Sequence, residues 1–149
     1  MTELIIVSAC LAGISCRYNG THGKIKQIEE LVLSGKAIPL CPEVLGGLEI
    51  PRTPCEIKNS GNDRQAISKE GENLTRFFQK GAEQTLAIAR TIGASKAILK
   101  SRSPSCGNGT IYDGSFSGTI IDGNGFTAGL LLKNNIQVLN EENFIDVIK

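Results

Sequence analysis

Three short apolar runs in this chain each lead into a cysteine-bearing motif. Leu4-Ile5-Ile6-Val7 precedes Ser8-Ala9-Cys10, and Ala37-Ile38-Pro39-Leu40 precedes Cys41-Pro42-Glu43. Ala97-Ile98-Leu99 precedes Ser103-Pro104-Ser105-Cys106-Gly107. Continuous apolar runs of this length read as strands buried on both faces. Between them, Ile25, Ile28, Leu31 and Val32 fall on one helical face that stops at Gly35. Leu74, Phe78, Ala82, Leu86 and Ala89 recur at helical spacing, which predicts a helix over 75–92 ended by Gly93. A short helix over 126–134, a last strand at Gln137-Val138-Leu139 and a terminal helix over 143–149 follow. Alternating strand and helix predicts an α/β fold, a mostly parallel sheet flanked by helices with Rossmann-like layering. A parallel sheet sends the loops after its strands to one edge, the carboxyl edge, where such folds bind ligands. The three cysteine motifs are therefore expected to meet there.

Two stretches carry little periodicity. Residues 41–63, with Gly46-Gly47 and prolines on either side of Arg52, and residues 101–125, rich in glycine, read as long ordered loops of the functional kind. Gln65-Ala66-Ile67 reads as a short extra strand. No repeat, low-complexity stretch or linker divides the chain, so residues 1–149 are expected to form one domain.

Five cysteines cannot all pair. Met1-Thr2-Glu3-Leu4 carries no basic leader, and the apolar stretch over 4–14 is broken by Ser8, Cys10 and Gly13. It is too short to span a bilayer, and no secretory cleavage pattern follows. The expected location is the cytoplasm, where grouped thiols mean metal binding or catalysis rather than a disulfide framework. Net charge is +1, tryptophan is absent and aromatics are 5% of residues, which argues against a nucleic-acid surface. A small molecule is the expected partner, with RNA not favoured and oligomeric state unreadable.

Three convergent thiolates suit a soft metal or an iron–sulfur cluster. Structural zinc normally takes Cys-x2-4-Cys pairs. None occurs here, Cys10 and Cys16 are too widely spaced, and the single His22 reads as a solvated loop residue. On a cubane cluster, three thiolates leave one iron without a protein ligand, open to a sulfur atom of a substrate. Glu43, two residues past Cys41, is either an ordinary helix-capping carboxylate or a proton carrier between water and a leaving group. Ser101, Ser103 and Ser105 are either turn formers beside Pro104 or hydroxyls that orient substrate. Lys100 and Arg102 read equally as plain solvated charge. Cys16 is a resolving thiol, a fourth ligand or a spectator, and Cys55 reads as a spectator. No Gly-x-Gly-x-x-Gly follows the first strand, and no P-loop lysine motif is present.

Taken together, several blocks resemble the DUF523 family, which contains the bacterial thiouracil desulfidases. They are Val7-Ser8-Ala9-Cys10-Leu11, Cys16-Arg17-Tyr18-Asn19-Gly20, Cys41-Pro42-Glu43-Val44, Gly46-Gly47-Leu48, Pro51-Arg52, Lys100 through Gly107, and Ile111-Tyr112-Asp113-Gly114. The resemblance runs over nearly the whole chain. It implies a [4Fe-4S] cluster held by Cys10, Cys41 and Cys106, a catalytic acid/base at Glu43, and active-site serines at Ser103 and Ser105. It does not support Cys16 as a ligand. The expected activity is hydrolytic replacement of the sulfur of a thiolated pyrimidine (2-thiouracil or 4-thiouracil class) by oxygen, with release of sulfide. Two rivals are a non-catalytic module that stores or delivers metal or sulfur, and a thiol-redox enzyme using Cys10 and Cys16.

Overall fold

A computed structural model describes residues 3–60 and 63–148. Its centre is a four-stranded sheet built from β1 (Ile5–Ser8), β2 (Ala37–Leu40), β5 (Lys96–Ile98) and β8 (Gln137–Leu139). The spatial order is β2-β1-β5-β8, and every neighbouring pair is parallel. The register sets Ile6 opposite both Ile38 and Ala97, and Ile98 opposite Leu139. The α/β expectation is borne out. Among the described residues, no helix is long and apolar enough to cross a membrane.

Side chains that alternate along the strands divide the core into two layers. Ile5, Val7, Ile98 and Leu139 face a layer closed by Ile28 of α1 (Lys26–Leu33) and by Phe144. Ile6, Leu40, Ala97, Leu99 and Val138 face the opposite layer. Leu86 and Ala89 of α3 (Thr75–Ile92) and Ala128 and Leu131 of α4 (Phe126–Lys133) close it. β1 lies centrally, with its crossover to β2 on one side and β5 on the other. The strand order thus reverses between the carboxyl ends of β1 and β5, the place where open parallel sheets form a ligand crevice.

The two stretches expected to be loops contain more structure than their sequence signals. Residues 41–63 hold a single-turn helix, α2 (Pro42–Leu45), and a strand, β3 (Cys55–Ser60). β3 pairs antiparallel with β4 (Asp63–Ser68), which extends the short strand expected at 65–67. Residues 101–125 hold a second hairpin, β6 (Thr110–Tyr112) with β7 (Ile120–Asp122). Both were hidden for the same reason. One turn of helix shows no period, and hairpin strands that carry Lys58, Asn59, Arg64 or Asp122 lack apolar alternation. The terminal helix, α5 (Ile145–Ile148), is shorter than expected, and Lys149 lies outside the described residues.

α2 is held where it is by close backbone approach to α3. A Cβ on Gly81 would stand 2.0 Å from the Pro42 carbonyl oxygen, and one on Gly46 would stand 2.0 Å from that of Phe77. Glycine in a helix interior is otherwise unfavourable by about 1 kcal/mol relative to alanine, so contact is the reason for it here. Gly81→Ala is expected to lose stability despite its better helix propensity, by about 1–3 kcal/mol of overpacking. A urea midpoint equal to or above that of the wild type would show that the contact does not set the position of α2.

Candidate active site

A cavity of about 430 Å³ opens at the carboxyl edge, between the ends of β1 and β5, α2 and the two hairpins. That size suits a small molecule. Cys10, Cys41, Cys106, Glu43, Ser101 and Ser103 all line it. Each arrives by a short, constrained route. Cys10 lies on a 3-10 turn (Ala9–Ala12) directly after β1, and its carbonyl accepts from Gly23 N at 3.0 Å. Cys41 is the residue between β2 and Pro42, the first residue of α2, where proline favours helix initiation. Cys106 sits on a turn organised by Ser103, whose Oγ accepts from the amides of Ser105 at 3.1 Å and Cys106 at 3.0 Å.

This turn is strapped to the start of α4. Pro104 O accepts from Phe126 N, Ser105 O from Thr127 N and Gly107 O from Gly125 N, at 2.7–2.9 Å. A Cβ on Gly125 would lie 2.5 Å from the Ser105 carbonyl. The same strap covers Ser105. The residue is 1% exposed, its Oγ lies 2.8 Å from Thr127 Oγ1, and the cavity wall does not include it. Being next to Cys106 in sequence, it falls on the side of the turn that α4 covers. Ser8 does what the strand-end reading did not foresee. Its buried Oγ accepts from Lys100 N at 2.9 Å and donates toward Cys106 Sγ at 3.5 Å, so it joins the ends of β1 and β5 to the third cysteine.

None of the five cysteines is in a disulfide. Cys16 is buried and contacts the sulfurs of both Cys10 and Cys41, although 25 residues separate it from the latter. As the donor it keeps its proton, and its own titration is pushed up. Cys10 is drawn down to about 7, chiefly by Cys16 and then by Arg17, against the burial that raises it. Cys41 is likewise lowered by Cys16. Burial pushes the Cys106 thiol well up. Cys55 lines the wall further out, and burial raises it to about 11.

Glu43 points from the first turn of α2 into this group, with Oε1 4.0 Å from Cys41 Sγ. Arg52 holds the other oxygen at 3.3 Å and also donates to the carbonyls of Cys16 and Glu49, each at 3.1 Å. Burial raises the Glu43 carboxyl above its ordinary value and Arg52 only partly offsets it. Sequence reading missed Arg52 as its partner. The signal was a cation enclosed by prolines, within the Pro51-Arg52 block. Arg17 was missed too. It lies against Cys10, lines the cavity, and its Nε is buried without a hydrogen-bond partner. Gly23 makes room for it, since a Cβ there would lie 2.1 Å from Arg17 Nη2.

The donor set, three soft thiolates around one shared space, fits an iron–sulfur cluster, which takes each thiolate on a different iron. Cys10, Cys41 and Cys106 stand around one such space, and two of the three are biased toward the thiolate that ligation requires.

Comparison with known proteins agrees with this geometry. A family model described as 2-thiouracil desulfurase matches residues 5–143. An uncharacterized protein of Bacillus subtilis (strain 168), YbbK, is 45% identical over 151 residues, covering 97% of this chain and 100% of that protein. A solved structure of a [4Fe-4S]-dependent thiouracil desulfidase, TudS, superposes with a TM-score of 0.90 at 40% identity, covering 98% of this chain and 95% of that one.

The wall that carries Ser101 depends on Glu141. Its carboxylate accepts from Ser101 N at 2.8 Å and Ser101 Oγ at 2.9 Å, and pairs with Lys100 Nζ at 2.8 Å. Burial raises this carboxyl, but Lys100 and the Ser101 amide outweigh it and hold it below its ordinary value of 4.5. Glu141→Ala is expected to cost about 1–3 kcal/mol at neutral pH by leaving the Ser101 groups unpaired. A depressed carboxyl contributes stability that is present above its unfolded pKa and lost as pH falls through its folded one. The gap in urea midpoint between wild type and variant is therefore expected to close in acid. A gap that stays constant below pH 4.5 would remove the ion pair from the explanation.

Proposed function

We propose that this chain, which belongs to the 2-thiouracil desulfurase family, is a [4Fe-4S]-dependent desulfidase that replaces the sulfur of a thiolated pyrimidine with oxygen. The observation that carries the reading is the arrangement of Cys10, Cys41 and Cys106 with Glu43 around one small-molecule cavity. Those three cysteines would hold the cluster, and Cys16, Arg17 and Ser8 would orient and screen their sulfurs. When bound, the cluster would supply a sulfur-binding Lewis acid that draws charge from the thiocarbonyl carbon.

The chain's own groups then account for the proton movements. Glu43, fixed by Arg52, takes a proton from water as the oxygen adds to the carbon, and returns it to the departing sulfur. The Ser103 hydroxyl already accepts two backbone amides, so its own proton is free to point at the substrate. Ser101 donates to Glu141 and accepts from Lys100 Nζ at 3.1 Å, which leaves one lone pair of its oxygen for a ring N–H. The net change, C=S plus water giving C=O plus hydrogen sulfide, transfers no electrons. Cavity size and near-neutral charge favour a free base or nucleoside over a base within RNA. Five unpaired cysteines suit the reducing cytoplasm.

Protein prepared without oxygen is expected to release sulfide from 2-thiouracil or 4-thiouracil with no added reductant. Strict dependence on an electron donor would count against hydrolysis. Glu43→Gln should keep the cluster absorbance while kcat falls by about 10²–10⁴. A near-normal rate would remove the proton-carrier role and leave the storage-module reading standing. Serine at Cys10, Cys41 or Cys106 should each abolish stable cluster incorporation, measured as iron and acid-labile sulfide per chain. Full incorporation in any one of them would strike that residue from the ligand set.

A further inference from the structure

The outer wall of the cavity is built by the turn between β6 and β7, and one carboxylate on β3 holds that turn in place. Tyr112, Phe116 and Gly118 line the cavity from this hairpin, and Glu56 lines it from β3. Glu56 Oε1 accepts from the backbone amides of Gly114 at 3.0 Å and of Phe116 at 3.1 Å, bridging 58 and 60 residues of sequence. The turn also packs directly on β3. A Cβ on Gly114 would lie 2.9 Å from the Ile57 carbonyl oxygen and 2.6 Å from Lys58 Cγ. Phe116 itself has φ +57°, a left-handed conformation that a bulky side chain rarely adopts. Such a residue persists only where its surroundings over-determine it. Here those surroundings are the Glu56 carboxylate on its amide and the cross-bonded hydroxyls of Ser115, Ser117 and Thr119 behind it. Nothing in the chemistry assigned above uses Glu56 or Phe116.

We infer that Glu56 is a positioning residue that clamps the 113–118 turn so that Phe116 closes the cavity, and that Phe116 is the specificity-determining aromatic on which the flat pyrimidine ring of the substrate lies. The second half rests on the desulfidase reading. The first stands on the hydrogen bonds alone. A planar heterocycle needs a face as well as edge contacts. The inner wall offers edge contacts, from the serines and Glu43. Among the described residues that line the cavity, only Tyr18, Phe78, Tyr112 and Phe116 carry aromatic rings, and of these Phe116 alone has a positive φ.

The test separates the two halves. Amide exchange at Gly114 and Phe116 is measured in the full chain for wild type, Glu56→Ala and Glu56→Gln. Exchange should speed up by about tenfold or more in Glu56→Ala, where both amides lose a charge-assisted acceptor. Much of the protection should return in Glu56→Gln, whose amide oxygen can still accept both. Steady-state kinetics with 2-thiouracil follow on the cluster-loaded protein. Glu56→Ala and Phe116→Leu should each raise KM by about tenfold, the size of a lost base–aromatic contact, with kcat much less affected. Phe116→Tyr should restore KM. Unchanged exchange in Glu56→Ala overturns the clamp whether or not the protein turns over any thiolated base. Faster exchange with an unaltered KM in both Glu56→Ala and Phe116→Leu overturns the ring contact. Absence of sulfide release by the wild type defeats the desulfidase reading and the role of Phe116 with it, while the exchange data still decide the clamp.

Discussion

Everything about this site depends on the direction of four strands. Parallel hydrogen bonding among β2, β1, β5 and β8 requires every strand to end on the same edge. Residues as far apart in sequence as Cys10, Cys41 and Cys106 are thereby delivered to one opening. The reversal of strand order between β1 and β5 parts the two sets of loops and leaves a crevice between them. Ser8 bridges that crevice at its base with a single hydroxyl, which satisfies the Lys100 amide and touches the Cys106 sulfur.

Delivering the thiols is only part of the problem, since reactive groups must also be held away from the core that would neutralise them. Three kinds of contact do this. α2 is pinned to α3 by two glycines that admit a carbonyl each, so Cys41 and Glu43 move only if the helix pair opens. The Cys106 turn is tied to the backbone at the start of α4. The Ser101 wall is fixed to the far end of the chain by Glu141. All three anchors are polar or steric and none is an apolar core contact. The placement of the site is therefore set by hydrogen bonds and close packing at the sheet's rim, while global stability comes from the two apolar layers beneath.

This division explains what was legible in the sequence. The core elements announced themselves because burial imposes a period. The helix expected over 75–92 has those bounds, and the strand runs lie within a residue of β1 and β5. The three cysteines and Glu43 were legible because position after a strand is enough to place them. Ser105 was not, because adjacent residues on a tight turn face opposite ways and only the contact with Thr127 shows which. Arg52, Arg17 and Glu56 were not legible for a related reason. A charged residue in a glycine- and proline-rich stretch reads as solvated, and its partner lies across the fold rather than along the chain.

The two antiparallel hairpins carry this argument one step further. Neither belongs to the central sheet; Glu56 of one holds the turn of the other, and Arg64 reaches Asn124 O. Because Cys10, Cys41 and Glu43 sit on the 3-10 turn after β1 and at the start of α2 rather than on the hairpins, changes at the hairpin tips would act first on the shape of the outer wall. A site built this way separates the groups that do chemistry from the groups that choose the molecule it is done on. The choice then rests on loops whose conformation a single carboxylate can hold or release.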